Sequence, residues 1–433
     1  MNNPDSDSLT RRSFLGQSAA ILGGTALASG FPSVLRGALE DKKLKIALVG
    51  CGGRGSGAAN QALKADSNCM LSAVGDIAIE QAETAIRNLK VENGDKIPDD
   101  VQKFIGLDAI DKVLATDVDV VLLTTPPGFR AEHFEKAVKA GKHVFTEKPI
   151  ATDAPNYRRF LAAARMSKEK GLGVQSGFCW RANFAERATY EQILEKKAIG
   201  DVKTFHGTYL ANSPWVKPRK EGWTDLEWQL RNWLYFTWLS GDQIVEQAIH
   251  TVDKMSWAFG DIDPVQAVGV GGRQQRIEPE YGHVWDHFAV SYDYPGGAKG
   301  YIFCRQQAGT FNENADQIIG TKGVCKINGF GNVHAIQGEN SWKYDGPKND
   351  MYQTEHDEFF QSLRSGKPLN FSEKIAHSTM VGIMGRMAAY TGKTITWDEA
   401  IKSEESLAPK EPLTWDMKLS VPEVAVPGRT KFF

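Results

Sequence analysis

Between Lys43 and Gly171 short, almost uniformly apolar runs alternate with longer amphipathic stretches: residues 44 to 49, Met70 to Gly75, Val118 to Thr124 and His143 to Thr146. Such runs are strands buried on both faces, and the helical periodicity between them makes them the strands of a parallel, doubly wound sheet. The helix after the fourth run starts at Asp153, an N-cap with Pro155 in its first turn. It places Tyr157, Phe160, Leu161 and Ala164 on one face and stops at Gly171. The polar stretch Val91 to Asp100 reads as a loop or short insertion.

Past residue 171 the rhythm changes. Helices over 184 to 198 and 243 to 259 precede strand-like runs at 264 to 271, 284 to 294, 298 to 306 and 323 to 329, with Pro295-Gly296-Gly297 as a hairpin turn. Strands joined by tight turns predict an α+β second domain with a large open, mainly antiparallel sheet. Two late helices, 352 to 365 and 372 to 391, lead into a Pro-containing tail from 405 that either wraps a neighbouring domain or subunit or lies loose. The pattern divides the chain into a leader and linker (1–40), a doubly wound α/β domain (41–170), a second, α+β domain (171–400) and the tail (401–433). A chain of 433 residues exceeds one ordinary core, as this division requires.

Charge narrows the partners. Lys and Arg total 51 against 53 Asp and Glu, a formal net charge of -2, which gives nucleic acid or an anionic membrane no purchase and leaves a small soluble ligand. The five cysteines are scattered without a C-x-x-C, so neither a disulfide framework nor a zinc ribbon is indicated. His283-Val284-Trp285-Asp286-His287, read as a strand, puts the two histidines on one face and Asp286 on the other, and no metal is expected there.

The first forty residues read as an address. Thr10-Arg11-Arg12-Ser13-Phe14-Leu15 is a twin-arginine signal, followed by a Gly- and Ala-rich apolar region to Ser29 too short for a stable membrane span, with Ala26-Leu27-Ala28 as a cleavage site. This route exports proteins already folded, to the periplasm.

The cofactor is written in Gly50-Cys51-Gly52-Gly53-Arg54-Gly55, which follows a strand and opens a helix. Gly50 permits the tight turn, Gly52 and Gly53 let backbone approach a pyrophosphate at the helix N-terminus, and Gly55 lets helix pack on strand. Asp76 ends the second strand about 20 residues past Gly55, where an acid meets the ribose hydroxyls. Ile77-Ala78 follow it with no Arg or Ser for a 2′-phosphate, which favours NAD over NADP.

Four segments together, the glycine turn, Thr124-Thr125-Pro126-Pro127, Ala140 through Thr146-Glu147-Lys148-Pro149, and Gly241 through Asp253, resemble the Gfo/Idh/MocA oxidoreductases. The resemblance implies that Thr125, Pro126, Glu147 and Arg54 help hold the dinucleotide and that Lys148 touches both nicotinamide ribose and substrate hydroxyl. It implies His250 as general base, with an ordinary pKa of about 6.5 suited to that work, and Glu246 where relatives carry aspartate. On one continuous helix Glu246, His250 and Asp253 share a wall, while Ile244, Val245, Ile249, Val252 and Met255 cover the core side.

Arg130 stands where many relatives have histidine, and reads as a contact to cofactor phosphate, to substrate or to a surface acid. Trp180, Arg181 and Trp233 are candidate contacts to a carbohydrate, Trp233 within a cluster with Trp215, Trp223, Trp228 and Trp238 that reads equally as core packing. The implied activity is hydride transfer from a sugar, glycoside or polyol CH–OH, by a homo-oligomer with a tightly held, recycled cofactor. Two alternatives stay open: a glycosidase or epimerase using transient oxidation, with His206, Tyr209 or His283 as the additional base, and a non-catalytic nucleotide sensor.

Overall fold

The structure is a computed structural model that describes Leu39, residues 41–329, Gly331 and residues 333–432. The twin-arginine leader lies outside the described residues. Described residues form two sheets.

The first comprises β1 (Leu44–Val49), β2 (Cys69–Asp76), β3 (Gln102–Ile105), β4 (Val120–Leu123), β5 (His143–Thr146) and β6 (Val174–Ser176). All are parallel, in the order β3-β2-β1-β4-β5-β6. The uninterrupted apolar runs follow from helices on both faces: Ile46, Leu48, Val120 and Leu122 join one core while Ala47, Val49, Val121 and Leu123 join the other. The strand order reverses between β1 and β4, which opens a crevice at their carboxyl ends, where such folds bind ligands. β6 lies just past residue 170. Asp153 caps the helix Ala154–Glu169 as expected, its Oδ1 accepting the Asn156 N–H at 2.9 Å.

The second sheet contains β7 (Val202–Ala211), β8 (Gln266–Gly272), β9 (His287–Asp293), β10 (Lys299–Gln306), β11 (Glu313–Gly320), β12 (Gly323–Asn328), β13 (Val333–Gly338), β14 (Trp342–Lys343) and β15 (Ile395–Thr396). Its order is β14-β13-β12-β11-β7-β10-β9-β8-β15, antiparallel at every described pairing except β7 with β10. One face packs on the helices Ile249–Ala258 and Ser372–Thr391; the other leaves Val268, Val270, Phe303 and Ile319 exposed. Ser372–Thr391 is apolar nearly all round because it is sandwiched between β8 and Ala154–Glu169 of the first domain.

The domains interlock. Helix Met351–Arg364 crosses back to the first domain, where Phe359, Phe360 and Leu363 enter the same core as Leu44, Ile46 and Phe145. Arg364 anchors its end on Asp66 at 2.6 Å. The tail runs over its own chain: the Leu407 N–H bonds Asp153 Oδ2, the Leu419 N–H bonds Asp225 Oδ2, and Leu413, Met417 and Leu419 pack against the Trp238 cluster.

Two local expectations need correction. Residues 91 to 100 are not all loop, since the helix Ile79–Asn93 continues into them and a single 3-10 turn, Gly94–Lys96, follows. The helix expected over 243 to 259 is broken into Gln243–Glu246 and Ile249–Ala258. At the break the Ala248 N–H reaches back to Gln243 O, five residues away, and the Glu246 carbonyl turns out of the ladder to accept the Lys148 ammonium. Among the described residues no helix is long and apolar enough to cross a membrane.

Candidate active site

The crevice beside β1 is a cavity of about 520 Å³ lined by Gly50, Gly52, Gly53, Arg54, Gly55, Asp76 and the Thr124-Thr125-Pro126 turn. Gly50 holds φ +96°, and a Cβ there would sit 2.7 Å from Thr124 backbone; a Cβ on Gly55 would sit 2.0 Å from the Gly50 carbonyl oxygen. Gly52 and Gly53 instead face open space. Helix Gly53–Ala65 begins without a side-chain cap or an acid in its first turn, so its free N–H groups and positive dipole end are left for an anion. Asp76 is held at the crevice by the N–H groups of Cys51 (2.6 Å) and Ala78 (3.0 Å). Burial raises its carboxyl despite those bonds. A glycine turn, an open phosphate cradle and an acid past β2 fit a dinucleotide.

Next to the crevice, tied to its lining residue Arg54 through Glu147, β5 runs into Glu147-Lys148-Pro149, whose Lys148–Pro149 peptide is cis. Lys148 Nζ donates to Glu246 O at 2.7 Å and to Glu246 Oε1 at 3.0 Å, across the domain boundary. Both side chains are about 15% exposed, shielded yet reachable. The ammonium has three N–H donors, so one remains for a ligand. His250 is partly buried one turn beyond, edge-on to Phe178 (ring centroids 6.2 Å apart), its Nδ1 buried without a partner. Burial first, then the Lys148, Lys254 and Arg54 cations, push its pKa well below 6.5, so the imidazole is neutral at neutral pH and free to accept a proton.

The loop carrying Lys148 is fixed from behind. Arg54 Nε donates to the buried Glu147 carboxylate at 2.6 Å and its guanidinium lies 4.9 Å over the Tyr352 ring. Burial alone would raise Glu147, but Arg54, Arg130 and Lys148 together hold it below the usual range. Arg130 is buried, donates to the carbonyls of Thr125 (2.8 Å), Pro149 (2.8 Å) and Lys148, and is lowered by burial to about 10. It therefore staples the Thr-Pro turn to the Glu-Lys-Pro loop. Sequence reading offered cofactor, substrate or a surface acid for Arg130; among protein groups it takes backbone carbonyls and not a surface acid, and nothing in the chain's pattern signalled a staple.

Residues 44–178 match the oxidoreductase family profile described as an NAD-binding Rossmann fold, and residues 188–326 match the GFO/IDH/MocA C-terminal domain. The chain belongs to the Gfo/Idh/MocA family. Among relatives, this Gfo/Idh/MocA protein is 27% identical over 240 residues to 2,7-anhydro-N-acetylneuraminate hydratase of Escherichia coli, covering 54% of this chain and 58% of that one. It is 28% identical over 235 residues to inositol 2-dehydrogenase of Ralstonia nicotianae, covering 54% and 59%. It thus spans little more than half the length of these curated relatives. The structure of aldose-aldose oxidoreductase from Caulobacter crescentus shares its fold, with a TM-score of 0.66, 20% identity, and coverage of 82% of this chain and 100% of that one.

Several candidates of this Gfo/Idh/MocA chain stand elsewhere than expected. Glu246 stands on a separate short helix from His250 and Asp253, and Asp253 accepts from Arg181 and from Ser378 Oγ at 2.7 Å. Arg181 spends its guanidinium on Asp253 and Asp261, with contacts from 2.5 to 3.1 Å, and so does not serve as a free substrate contact. Trp180 packs 5.0 Å from the ammonium of Lys254, which pairs with buried Asp316. Trp233 lines the dinucleotide cavity with Trp215, not the space beside Lys148. His283 is buried against Thr237 Oγ1 at 2.7 Å, and His206 lies against Phe303. Among the described residues no group of three or more His, Cys, Asp or Glu could hold a metal.

Tyr209 is the residue that sequence left among several candidates and the fold brings near the site. Burial raises it to about 12, with the Glu246 charge adding to the effect, and it bonds the Gln247 side chain.

Gly55→Ala tests the turn. With no room for a Cβ, the helix N-terminus must move off β1, and the variant is expected to lose dinucleotide binding while Gly53→Ala, facing open space, keeps the fold. Calorimetric titration with NADH, with circular dichroism of both variants, decides it.

Proposed function

We propose that this protein oxidises a secondary CH–OH of a sugar, glycoside or polyol with NAD(P) as hydride acceptor. The observation that carries the reading is the meeting of Lys148 and Glu246, held at 3.0 Å, with the neutral His250, whose Nδ1 has no partner, at the loop that Arg54 and Arg130 tie to the dinucleotide crevice. His250 takes the hydroxyl proton. Lys148 directs its remaining N–H at the same oxygen and stabilises the charge that develops as the proton leaves. Glu246 and the Glu147–Arg54–Arg130 arrangement keep Lys148 aimed. Gly50, Gly52, Gly53 and Gly55 with Asp76 would hold the dinucleotide, whose nicotinamide accepts the hydride when bound.

A second reading is favoured by Tyr209. Kept protonated, it could donate a proton to a leaving oxygen after transient oxidation, giving a net reaction without oxidation, and one relative bears the name of a hydratase. The two part in one experiment: the purified protein incubated with a panel of glycosides, with and without a ketose acceptor. Keto-sugar formed only with acceptor supports net oxidation; aglycone released without acceptor supports the second reading; neither product from any glycoside or polyol overturns both.

The same reading extends outward. The Arg11-Arg12 leader directs the folded protein to the periplasm, where a resident dinucleotide is recycled, NAD in preference to NADP because Asp76 takes the ribose hydroxyls. A second copy of the chain covers the open sheet face that exposes Val270 and Phe303.

A further inference from the structure

The dinucleotide crevice has a wall that the first domain does not supply. Trp215, Lys217, Leu230, Arg231 and Trp233, all from the segment between β7 and the helix Thr237–Ser240, line the same cavity as Asp76, Ile77, Gln81 and Leu107. These first-domain residues follow β2 and β3, at the crevice end remote from Lys148 in the fold's usual order, where a dinucleotide places its adenosine half.

The segment is fixed rather than draped. The Lys217 N–H donates to Asn232 Oδ1 at 2.8 Å, its carbonyl accepts from Trp228 Nε1 at 3.3 Å, and the Trp215 carbonyl accepts the Tyr235 hydroxyl at 2.9 Å. Asn232 in turn donates to Glu280 O at 2.7 Å. Outside, Arg231 reaches Glu80 on the first-domain helix just after Asp76, at 2.7 Å, while its Nε holds Glu227 at 2.9 Å. Behind it the tail closes the back, with Gln229 donating to Leu419 O at 3.2 Å. Trp215 and Trp233 meet edge to face, centroids 6.0 Å apart, and the Lys217 ammonium rides 5.1 Å over the Trp215 ring.

We propose that this second-domain segment is an adenosine clamp: Trp215 and Trp233 give the adenine its stacking surface, Lys217 faces the ribose opposite Asp76, and Arg231–Glu80 closes the outer edge. The nucleotide then leaves only when two domains part, which makes it a resident group rather than a passing substrate. The inference rests on the dinucleotide reading of the crevice.

The test measures release, not turnover. Full-length protein is loaded with radiolabelled NADH, or separately with radiolabelled ADP-ribose, which has the adenosine half without the nicotinamide, and chased with unlabelled ligand. Trp233→Ala is expected to release both about tenfold faster or more, the scale of one lost base–aromatic stack. Trp233→Phe restores slow release by keeping an aromatic face, and Lys217→Met, which leaves the pinned backbone untouched, also speeds release of both. Melting temperatures of the nucleotide-free variants within the wild-type range keep the effect from being one of folding. If wild type retains NADH and the variants release it at the wild-type rate, or if NADH but not ADP-ribose is lost faster, the clamp is overturned and the dinucleotide reading stands. If wild type binds neither ligand, that reading falls and the clamp with it.

Discussion

Lys148→Ala should lower kcat by about a thousandfold while NADH still binds, because a single preorganised donor aimed at a developing oxyanion is worth about that much. The loss has an internal signature. The Lys148 cation is among the charges that keep His250 unprotonated, so its removal lets the imidazole take a proton at higher pH. In the variant the acid limb of the residual pH–rate profile therefore moves upward. Steady-state kinetics across pH, with NADH affinity measured separately, check both parts; near-native turnover, or an unmoved acid limb, would exclude Lys148 from the role.

The second large effect is expected of His250→Ala, a loss of about a hundredfold to ten-thousandfold, as for a positioned general base. The sign of the pH dependence follows from the environment. His250 works unprotonated, and burial with nearby cations holds its folded-state pKa well below 6.5, so wild-type kcat/KM should stay level as pH falls through 6.5 and decline only further down. In His250→Ala that decline disappears and the remaining rate climbs with hydroxide. An acid limb centred at or above 6.5 in the wild type would contradict the neutral, buried base.

Four of the six parallel strands were readable because they are near-uniformly apolar, whereas the edge strands β3, half exposed with Gln102 and Lys103, and β6, only three residues long, were not. β1 and β4 are buried on both faces and so spell unbroken apolar runs. β11 was missed for the opposite reason. Its buried face carries Asn314 and Asp316 and its other face Glu313 and Gln317, in the middle of a sheet, where Asp316 and Asn314 satisfy the buried Lys254 and Glu313 takes the Thr208 hydroxyl. Periodicity cannot show a strand whose inward residues are charged and paired.

The site divides in the same way. Gly50 to Gly55 and Glu147-Lys148-Pro149 work through local backbone geometry and were visible as spacing. Arg130, Tyr209 and the Trp215–Trp233 wall act through contacts between segments far apart in the chain. Helical arithmetic assumed one unbroken ladder from Glu246 to Asp253, where the Glu246 carbonyl is drawn off to Lys148 and only His250 and Asp253 remain on one helix. The tryptophan cluster was noticed, but a pattern of aromatics carries no information about which domain it will face.

The return of Met351–Arg364 to the first domain bears on the order in which the molecule can be made. A nascent chain that has emerged through residue 178 holds all six parallel strands, yet Leu44, Ile46 and Phe145 still lack the Phe359, Phe360 and Leu363 side chains that complete their core. Asp66 likewise waits for Arg364. For the time taken to synthesise roughly 180 further residues, about ten to forty seconds at ordinary ribosome speeds, that apolar face stays open to water and to chaperones. The nucleotide-binding half is thus first in sequence and among the last parts to finish folding.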